Sequence, residues 1–549
     1  MSAPSYVSGT SKVPLIGETI GAALERAARE HGDRVALISR HQNVRLTYAE
    51  LNEHADALAS GFLGLGLKPG DRIGMWGATC WEWTLTQFAA AKIGLILVTV
   101  NTAYRKAELE YALNKVSCKS IVLMAGHRGA DYAGMLEELS NEKKLPYLAH
   151  AILIGPARER FFRFESIARG SPAHLRLVSE IGETLQFDDP INIQFTSGTT
   201  GFPKGATLTH HNILNNGYFV GEQIGLTPDD RLCIPVPLYH CFGMVMANLG
   251  CLTHGSTMVY PSEGFEPLAV LQAVQDEKCT ALYGVPTMFI AELSHPQFQS
   301  FDLSSLRTGI MAGSPCPTEV MKRVVEEMHM GEVTIAYGMT ETSPVSFQSG
   351  TADTLERRVS TVGRIMPHLE CKIVDGDGRI VPRGTPGELC TRGYSVMPGY
   401  WDDEEKTAEA IDEAGWMHTG DTATIDAEDF ANIVGRIKDM VIRGGENLYP
   451  REVEEFLYRH PKIQDVQVVG VPDDKYGEEL CAWIVLRKEE TLSEEDVRAF
   501  CKDQIARHKI PRYIRFVDGF PMTVTGKVQK FVMRDAMIKE LGLKIAKTA

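Results

Sequence analysis

Residues 196–205, with the sequence TSGTTGFPKG, form the most informative segment of the chain. Three glycines let the backbone approach an anion closely, the hydroxyl groups can donate hydrogen bonds, and Lys204 adds a positive charge. The preceding residues 191–195, INIQF, are strand-like, so the segment leaves the end of a strand, where open α/β sheets bind their ligands. The segment therefore predicts a phosphate-binding loop, although its composition alone also fits a glycine-rich surface turn.

Three other well-known signatures are missing from the sequence. The Walker loop G-x-x-x-x-G-K-[ST] does not occur; Gly526 and Lys527 resemble its ending, but Val528 replaces the Ser or Thr. No G-x-G-x-x-G follows a strand, which argues against nicotinamide or flavin binding. G-x-S-x-G is also missing, which argues against an α/β-hydrolase.

On both sides of this loop, short β-rich runs alternate with helical patterns. Strands are predicted at residues 35–38, 72–76, 120–124, 151–154 and 281–283. Thr47 and Glu50 fit a capping box at the start of a helix, and residues 82–94 predict another helix. This alternation predicts an α/β fold with parallel sheets covered by helices.

The domain boundary is predicted near Gly435. Before it, the glycine-rich and β-rich residues 363–399 indicate a smaller subdomain that closes a large one. After it, the pattern predicts a helix from about Arg451, strands at 466–471 and 481–486, and a helix over 493–507. We therefore expect a large N-terminal domain over residues 1–436 and a small α+β C-terminal domain over residues 437–549.

Composition excludes several classes of function. The 549 residues are 44% hydrophobic and 23% charged, which is ordinary for a soluble globular protein. A formal net charge of −15 argues against general binding to nucleic acid or to an anionic membrane. The longest apolar stretch, residues 88–100, contains Lys92 and is too short to cross a bilayer, so no integral membrane span is expected.

The cysteines and the first residues predict a cytoplasmic protein. The 11 cysteines are odd in number and show neither a C-x-x-C pair nor a zinc spacing, so we expect small core residues in a reducing compartment. The first residues, MSAPSYVSGTSKVPLIGE, have neither the apolar core of a secretory signal nor the Arg-rich pattern of a transit peptide.

The loop at residues 196–205 resembles the signature of the adenylate-forming superfamily, which includes acyl- and aryl-CoA ligases, peptide-synthetase adenylation domains and beetle luciferases. Other motifs of that family follow in the same order: YGMTET at residues 337–342, TGD at 419–421, GRIKD at 435–439, RGGEN at 443–447 and TGK at 525–527. Longer sequence segments around these motifs, including PLYHCFGM and MVIRGGENLYP, resemble the medium-chain fatty-acid:CoA ligases of the acyl-CoA synthetase family member 2 type.

The resemblance implies a two-step reaction with ATP, Mg²⁺ and CoA. A carboxylate attacks the α-phosphate of ATP and expels pyrophosphate, and the CoA thiolate then displaces AMP from the acyl-adenylate. Because the first step brings an anion to a polyanion, positioning and charge neutralisation dominate its catalysis. The implied partners are a small-molecule carboxylic acid, ATP and CoA; a homodimer is compatible with this interpretation.

The resemblance also implies the nucleotide site. Its phosphate-binding residues would be Thr196, Ser197, Gly198, Thr199, Thr200, Gly201 and Lys204, with Thr200 also assisting catalysis. Glu341 would hold Mg²⁺ and act in catalysis. Adenine would stack on Tyr337, with Gly338 and Thr340 beside it and Gly313, Ser314 and Pro315 on its other side. Asp421 would bind both ribose hydroxyls, assisted by Arg436.

The remaining implied roles concern catalysis and domain motion. Lys527 would reach the junction of carboxylate and α-phosphate, since its ammonium is a compact charge on a flexible stem. Lys438 would be the hinge of a mobile C-terminal domain, and Gly444 and Gly445 would let CoA pass close to the backbone. His240 would lie beside the acyl carboxylate. Asn447 stands where some relatives carry a basic residue, so no phosphate contact is assigned to it.

Each of these residues also has an ordinary structural explanation when taken alone. Glu341 is then a solvated carboxylate, Tyr337 a buried aromatic, Lys527 a turn lysine and His240 a core histidine. The acyl pocket, predicted from residues 239–247, 313–316 and 338–345, is mostly small or apolar and favours an unbranched or aryl tail. The alternatives are an aryl-CoA ligase, an enzyme that loads a carrier protein, a luciferase-like oxygenase and a nucleotide-binding relic without chemistry.

Overall fold

The N-terminal domain is built on two large sheets in the computed structural model, which describes residues 3–196, 203–314, 316–443, 446–473, 475–502, 504–523 and 527–543. Some predicted site residues lie outside these ranges, namely Ser197, Gly198, Thr199, Thr200, Gly201, Pro315, Gly444 and Gly445. The other predicted site residues are described.

The first large sheet is parallel in its centre and antiparallel at its edges. Its described strands are, in spatial order, Arg364–Ile365, Val345–Gln348, Glu332–Gly338, Thr308–Ala312, Ala281–Gly284, Arg231–Cys233, Thr257–Tyr260, Val35–Ser39 and Val44–Thr47. The predicted strands at 35–38 and 281–283 are confirmed. Neighbouring parallel strands bring Gly338 and the residues after Ala312 to the same edge.

The second large sheet contains both ends of the predicted phosphate loop. Its described strands are, in spatial order, Phe162–Arg163, His150–Ile154, Ser120–Met124, Arg72–Trp76, Ile96–Thr99, Pro190–Thr196, Lys204–Thr209 and Gly399–Tyr400. Pro190–Thr196 runs parallel to Ile96–Thr99 but antiparallel to Lys204–Thr209. The loop therefore joins two antiparallel strands, whereas a Walker loop joins a strand to a helix.

Helices cover these sheets as the alternation predicts. Thr47 and Glu50 form the expected capping box, with Thr47 Oγ1 accepting from Glu50 N at 3.2 Å and Glu50 Oε2 accepting from Thr47 N at 2.8 Å. The described α-helices of this domain are Ile20–His31, Tyr48–Gly64, Trp81–Lys92, Lys106–Lys115, Tyr132–Asn141, Phe164–Ala168, Pro172–Gly182, His210–Gln223, Gly250–His254, Pro267–Glu277, Pro286–Leu293, Thr318–Glu327, Leu355–Ser360 and Glu404–Ala410. A π-helix at Phe242–Leu249 leads directly into Gly250–His254.

The β-rich subdomain expected around residues 363–399 is an antiparallel sheet. In spatial order its described strands are Tyr6–Ser8, Leu369–Val374, Gly387–Gly393, Met417–Ile425 and Ala431–Arg436. Tyr6–Ser8 joins it from the far end of the chain by pairing with Leu369–Val374. A separate small hairpin pairs Gly126–His127 with Ala130–Asp131.

The C-terminal domain has its own sheet and its own apolar core. The described strands are Val441–Arg443, Glu446–Leu448, Ile463–Asp473, Gly477–Leu486 and Tyr513–Phe516, and the described helices are Pro450–Leu457, Glu494–Cys501 and Lys530–Leu541. The helix predicted over 493–507 is wrong in length: it ends at Cys501, because Lys502 leaves the helical region with a ψ of 132°. Short 3₁₀ turns lie at Ile437–Asp439 and Arg507–Lys509, and in the N-terminal domain at Phe298–Ser300 and Thr340–Thr342. No helix within the described ranges is long and apolar enough to cross a membrane.

Candidate active site

The two ends of the predicted phosphate loop lie directly opposite each other. Thr196 ends one strand, Lys204 begins the next, and the two residues are paired in the antiparallel register. The loop is therefore anchored at the sheet edge on both sides. Its interior, residues 197–202, lies outside the described residues.

Glu341 lies buried beside this loop, with 5% of its surface exposed. The Thr196 hydroxyl donates to Glu341 Oε1 at 3.2 Å, and the Tyr400 hydroxyl donates to the same oxygen at 2.9 Å. Neither donor uses Glu341 Oε2. The two hydroxyls therefore hold one oxygen of a buried carboxylate and do not bind the other. Such a carboxylate can serve as an oxygen ligand for a hard cation.

Tyr400 is a site residue that the sequence analysis missed. Its strand, Gly399–Tyr400, pairs with Lys204–Thr209, and the Lys204 ammonium lies 4.1 Å from the centre of the Tyr400 ring. Tyr400 therefore contacts both Lys204 and Glu341, and it fixes the position of each. The signal available in the sequence was only its place at the end of the glycine-rich segment 363–399.

Asp421 is held by two groups, Tyr337 and Arg436. The Tyr337 hydroxyl donates to Asp421 Oδ2 at 2.6 Å, and Arg436 Nε lies 3.3 Å from Asp421 Oδ1. Asp421 and Arg436 are direct partners on antiparallel strands. Burial raises the pKa of Asp421, and the Arg436 charge and the Tyr337 hydrogen bond act against that rise.

A tight turn carries the chain from Tyr337 to Glu341. A Cβ on Gly338 would lie 1.8 Å from the Pro344 carbonyl oxygen, so only glycine fits this position. The 3₁₀ turn Thr340–Thr342 then directs Glu341 inward. Gly313, with a φ of 92°, and Ser314 follow the neighbouring strand Thr308–Ala312, so they lie at the same sheet edge as Tyr337.

His240 is a neutral imidazole in this site. Phe242 N donates to His240 Nδ1 at 3.1 Å, so the proton of the neutral ring is on Nε2. Burial lowers the pKa of His240 to about 3, and the charge of Lys527 acts in the same direction. Cys241 lies between His240 and Thr340, with its Sγ 3.7 Å from His240 Nδ1 and 3.9 Å from Thr340 Oγ1.

Lys527 comes to this site from the C-terminal domain. Met522 and Val528 form an antiparallel bridge, and Thr523 N donates to Lys527 O at 2.7 Å, so the backbone of Lys527 is held against Thr523. Its ammonium interacts electrostatically with groups of the large domain, namely His240, Cys241, Glu341, Asp421 and Arg436. Burial and the Arg436 charge lower the pKa of Lys527, while the neighbouring acidic groups raise it.

Lys438 lies in the turn between the two domains, near the nucleotide-binding candidates. Burial lowers its pKa, as do the charges of Arg436 and Lys204, whereas Asp439 and Asp421 raise it. Beyond the turn, Arg451 Nη1 donates to the Ile433 carbonyl at 2.8 Å and ties the first C-terminal helix to the subdomain strand. The structure thus brings together Thr196, Lys204, His240, Tyr337, Glu341, Asp421, Arg436, Lys438 and Lys527.

These features define an AMP-forming acid–CoA ligase of the α/β class, with a large domain followed by a C-terminal domain. The chain belongs to the AMP-binding enzyme family: that family matches residues 24–401, and the AMP-binding enzyme C-terminal domain matches residues 452–527. The enzyme uses ATP to form an acyl-adenylate and transfers the acyl group to CoA.

Two relatives illustrate this membership. The chain is 48% identical to the putative acyl-CoA synthetase YngI of Bacillus subtilis, over 96% of this chain and 99% of that protein. It is 45% identical to the human medium-chain acyl-CoA ligase ACSF2, mitochondrial, over 98% of this chain and 91% of that protein.

Solved structures share the fold over almost the whole chain. The anthranilate CoA ligase AuaEII in complex with anthranoyl-AMP superimposes with a TM-score of 0.87 at 27% identity, covering 97% of this chain and 99% of its own. The Mycobacterium tuberculosis fatty acyl CoA synthetase superimposes with a TM-score of 0.73 at 26% identity, covering 95% and 99%.

We predict that His240 stays neutral in the folded enzyme between about pH 5 and 8, because burial lowers its pKa to about 3. Hydrogen–deuterium exchange of the imidazole carbon, followed by mass spectrometry, measures this pKa residue by residue. The peptide containing His240 should show no titration in this range in the native enzyme.

The denatured chain is the control for this measurement, and there the same peptide should titrate near pH 6.5. Folding lowers the pKa, so protons favour the unfolded state. The contribution of His240 to stability is therefore complete above about pH 6.5 and is lost as the pH falls. A native midpoint within the tested range would contradict the burial of a neutral ring.

Proposed function

We propose that this enzyme activates a fatty acid of medium chain length. The acid would react with ATP to give acyl-adenylate and pyrophosphate, and then with CoA to give acyl-CoA and AMP. The observation that carries the proposal is the convergence of Lys527, from the C-terminal domain, with Glu341, Asp421 and His240 of the large domain. The medium-chain preference draws on the named activity of the human relative.

In the proposed first step, positive groups surround the triphosphate. The loop from Thr196 to Lys204 holds the β- and γ-phosphates, with Lys204 fixed over the Tyr400 ring. Lys527 neutralises the charge that builds up between the attacking carboxylate and the α-phosphate. Such preorganised charges act strongly in a desolvated site, because water there does not screen them.

The residues present also fit a Mg²⁺ ion. Glu341 is the proposed ligand, since Thr196 and Tyr400 fix its Oε1 and make no hydrogen bond to its Oε2. When bound, the ion supplies neutralising charge to the phosphate oxygens. Tyr400 and Thr196 act as positioning residues that keep the carboxylate pointed at the phosphates.

The adenosine would occupy the space between two neighbouring strand ends. We propose that Tyr337 stacks on adenine, with Gly313 and Ser314 opposite, and that Asp421 accepts hydrogen bonds from both ribose hydroxyls. Because Tyr337 and Arg436 already orient the Asp421 carboxylate, the nucleotide would meet a fixed acceptor.

His240 and the π-helix after it would receive the carboxylic acid. A neutral ring with its proton on Nε2 can donate one hydrogen bond to the substrate carboxylate and adds no charge. Behind it, Phe242–Leu249 is fully buried and mostly apolar, which suits a hydrocarbon tail. An aryl acid is the second candidate, favoured by the overall similarity to a structure that contains anthranoyl-AMP.

We propose that the chain divides at residues 436 and 437 and that the C-terminal domain rotates about Lys438 between the two half-reactions. The 3₁₀ turn Ile437–Asp439 separates the subdomain sheet from the C-terminal sheet and supports a hinge there. In the second orientation Lys527 leaves and the segment containing Gly444 and Gly445 brings CoA to the adenylate.

A cytoplasmic location is also proposed. All 11 cysteines are buried and none forms a disulfide, which is typical of a reducing compartment. Imaging of a fluorescent fusion tests this location. The homodimer hypothesis is tested by light scattering of the full chain.

The proposed activity predicts a characteristic acid profile. With ATP, Mg²⁺ and CoA, release of AMP and pyrophosphate should peak at one chain length in a panel of straight-chain acids. Among acids shorter than the preferred one, kcat/KM should rise roughly fourfold with each added methylene. This factor corresponds to about 0.8 kcal/mol for each buried methylene.

Two outcomes would redirect the proposal, and a third would reject it. A preference for benzoate-like acids would establish an aryl-CoA ligase. Adenylate formation without a CoA thioester would indicate loading of a carrier protein, and a lack of pyrophosphate with every acid would reject acid activation altogether.

Lys527→Ala should separate the two half-reactions. Adenylation should fall about 100-fold or more, because a cation that meets the transition state is lost. Thioester formation from supplied acyl-adenylate should change little, since Lys527 leaves the site in that step. Pyrophosphate exchange measures the first reaction, and thioester formation measures the second.

The exposed Lys539 of the last helix provides a matched control, and Lys539→Ala should leave both half-reactions unchanged. Equal losses in the two half-reactions of Lys527→Ala would contradict the rotation, but the conclusion that the protein is an acid–CoA ligase would stand.

Glu341→Gln should raise the Mg²⁺ concentration needed for half-maximal adenylation roughly tenfold or more, because a charged oxygen ligand becomes a neutral amide. A Mg²⁺ titration of pyrophosphate release at saturating ATP measures the effect. Glu356→Gln, at an exposed glutamate, is the control. An unchanged Mg²⁺ requirement with a lower maximal rate would remove Glu341 from the metal site.

A further inference from the structure

A second cluster of metal-ligating side chains lies in the β-rich subdomain, outside the site described above. It consists of Glu388 and Cys390 on the strand Gly387–Gly393 and His418 on the strand Met417–Ile425. Cys390 and His418 are direct partners in the antiparallel register. Glu388 is two residues before Cys390, the pairing of the two strands shifts register between them, and the Glu388 carboxylate lies in the same cluster.

The three groups lie nearly as close together as the ligands of a tetrahedral zinc ion. His418 Nδ1 lies 3.0 Å from Glu388 Oε2 and 3.5 Å from Cys390 Sγ, and all three ligand atoms lie within 4.8 Å of one another. Zinc bonds of about 2.0–2.3 Å at tetrahedral angles place their ligand atoms about 3.3–3.6 Å apart. An ion could therefore enter with small movements of the side chains.

Asp412 and the Gly420 amide contact the histidine and the glutamate through the atoms that point away from the cluster. Asp412 Oδ2 faces His418 Nε2 at 3.6 Å, while the other oxygen of Asp412 accepts from Trp416 N at 2.9 Å. Gly420 N donates to Glu388 Oε1 at 3.1 Å, which leaves Oε2 toward the histidine. A carboxylate behind the distal nitrogen of a histidine is the usual outer partner of a metal-binding imidazole.

The cluster is also open to an incoming ion. The side chains of His418 and Glu388 are 32% and 24% exposed, whereas Cys390 is fully buried. Solvent can therefore supply the ion and a water as fourth ligand. Lys372 lies close enough to act electrostatically on Cys390 and Asp412, and its positive charge is outnumbered by the two carboxylates.

We propose that Glu388, Cys390 and His418 bind Zn²⁺, with Asp412 as the positioning residue of His418. A thiolate, an imidazole and a carboxylate suit zinc better than Mg²⁺ or Ca²⁺, which prefer oxygen ligands alone. The strand that carries His418 also carries Asp421, the proposed ribose ligand. Zinc would therefore tie the strand that positions Asp421 to its neighbour.

Cobalt substitution of the full chain without an affinity tag tests this site. One Co²⁺ per chain should give an intense thiolate-to-cobalt charge-transfer band, which Zn²⁺ should remove by displacement. Cys390→Ser should lose the band, and His418→Gln and Asp412→Asn should weaken metal binding by about 10- to 100-fold. Asp412 is partly exposed, so its variant reports on the site even where a core substitution prevents folding.

His254→Gln provides the matched control, because His254 Nε2 forms a comparable 3.0 Å pair with Glu222. This variant should bind Co²⁺ like the unmodified enzyme. A spectrum without the thiolate band, or a band that persists in Cys390→Ser, would overturn the proposal and leave a hydrogen-bonded Glu–His pair.

Discussion

The proposed catalytic arrangement depends on a half-buried lysine that faces a surface belonging to another domain. The charge of Arg436 repels the Lys527 ammonium, and the charges of Arg436 and Lys204 repel Lys438 in the same region. Against these four cations stand the carboxylates of Glu341 and Asp421. Crowding of like charges is costly, and a polyanion that enters between them removes this cost. This arrangement supports the proposed binding of a triphosphate and a carboxylate together.

The same constraint explains why each carboxylate is so firmly held. Thr196 and Tyr400 both donate to one oxygen of Glu341, and Tyr337 donates to Asp421. Without its two hydroxyl donors, the Glu341 carboxylate would be drawn into ion pairs with the neighbouring ammonium groups and would be lost as the proposed metal ligand. Two hydroxyl donors fix Glu341, whereas Asp421 is held by the Tyr337 hydroxyl and by its ion pair with Arg436. Both Tyr337 and Tyr400 come from strand ends of the large sheets.

Much of this arrangement could be predicted from local sequence. The strand before the phosphate loop, the capping box at Thr47, the β-rich subdomain and the separate C-terminal unit are local patterns, and the ordered motifs identify the family. The place of Tyr400 in the site and the pairing of Tyr6–Ser8 depend on contacts between segments far apart in the chain. The hydrophobic periodicity of a single segment does not encode such contacts. The early end of the helix at Cys501 reflects a backbone turn with no glycine or proline to mark it. Cys390 and His418 come together only through strand register, so cysteine spacing predicted core residues there.

One pair of antiparallel strands connects the proposed ribose site to the proposed hinge. Met417–Ile425 carries Asp421, and its partner Ala431–Arg436 ends directly at the turn that contains Lys438. Arg436 is thus both a neighbour of Asp421, the proposed ribose ligand, and the residue before the turn that contains the proposed hinge. A rotation at Lys438 would change the distance between Lys527 and Asp421 while leaving the Asp421–Arg436 pair within one rigid sheet. The adenylate could therefore stay bound through its ribose while the lysine departs, which is what the use of one site for two successive reactions requires.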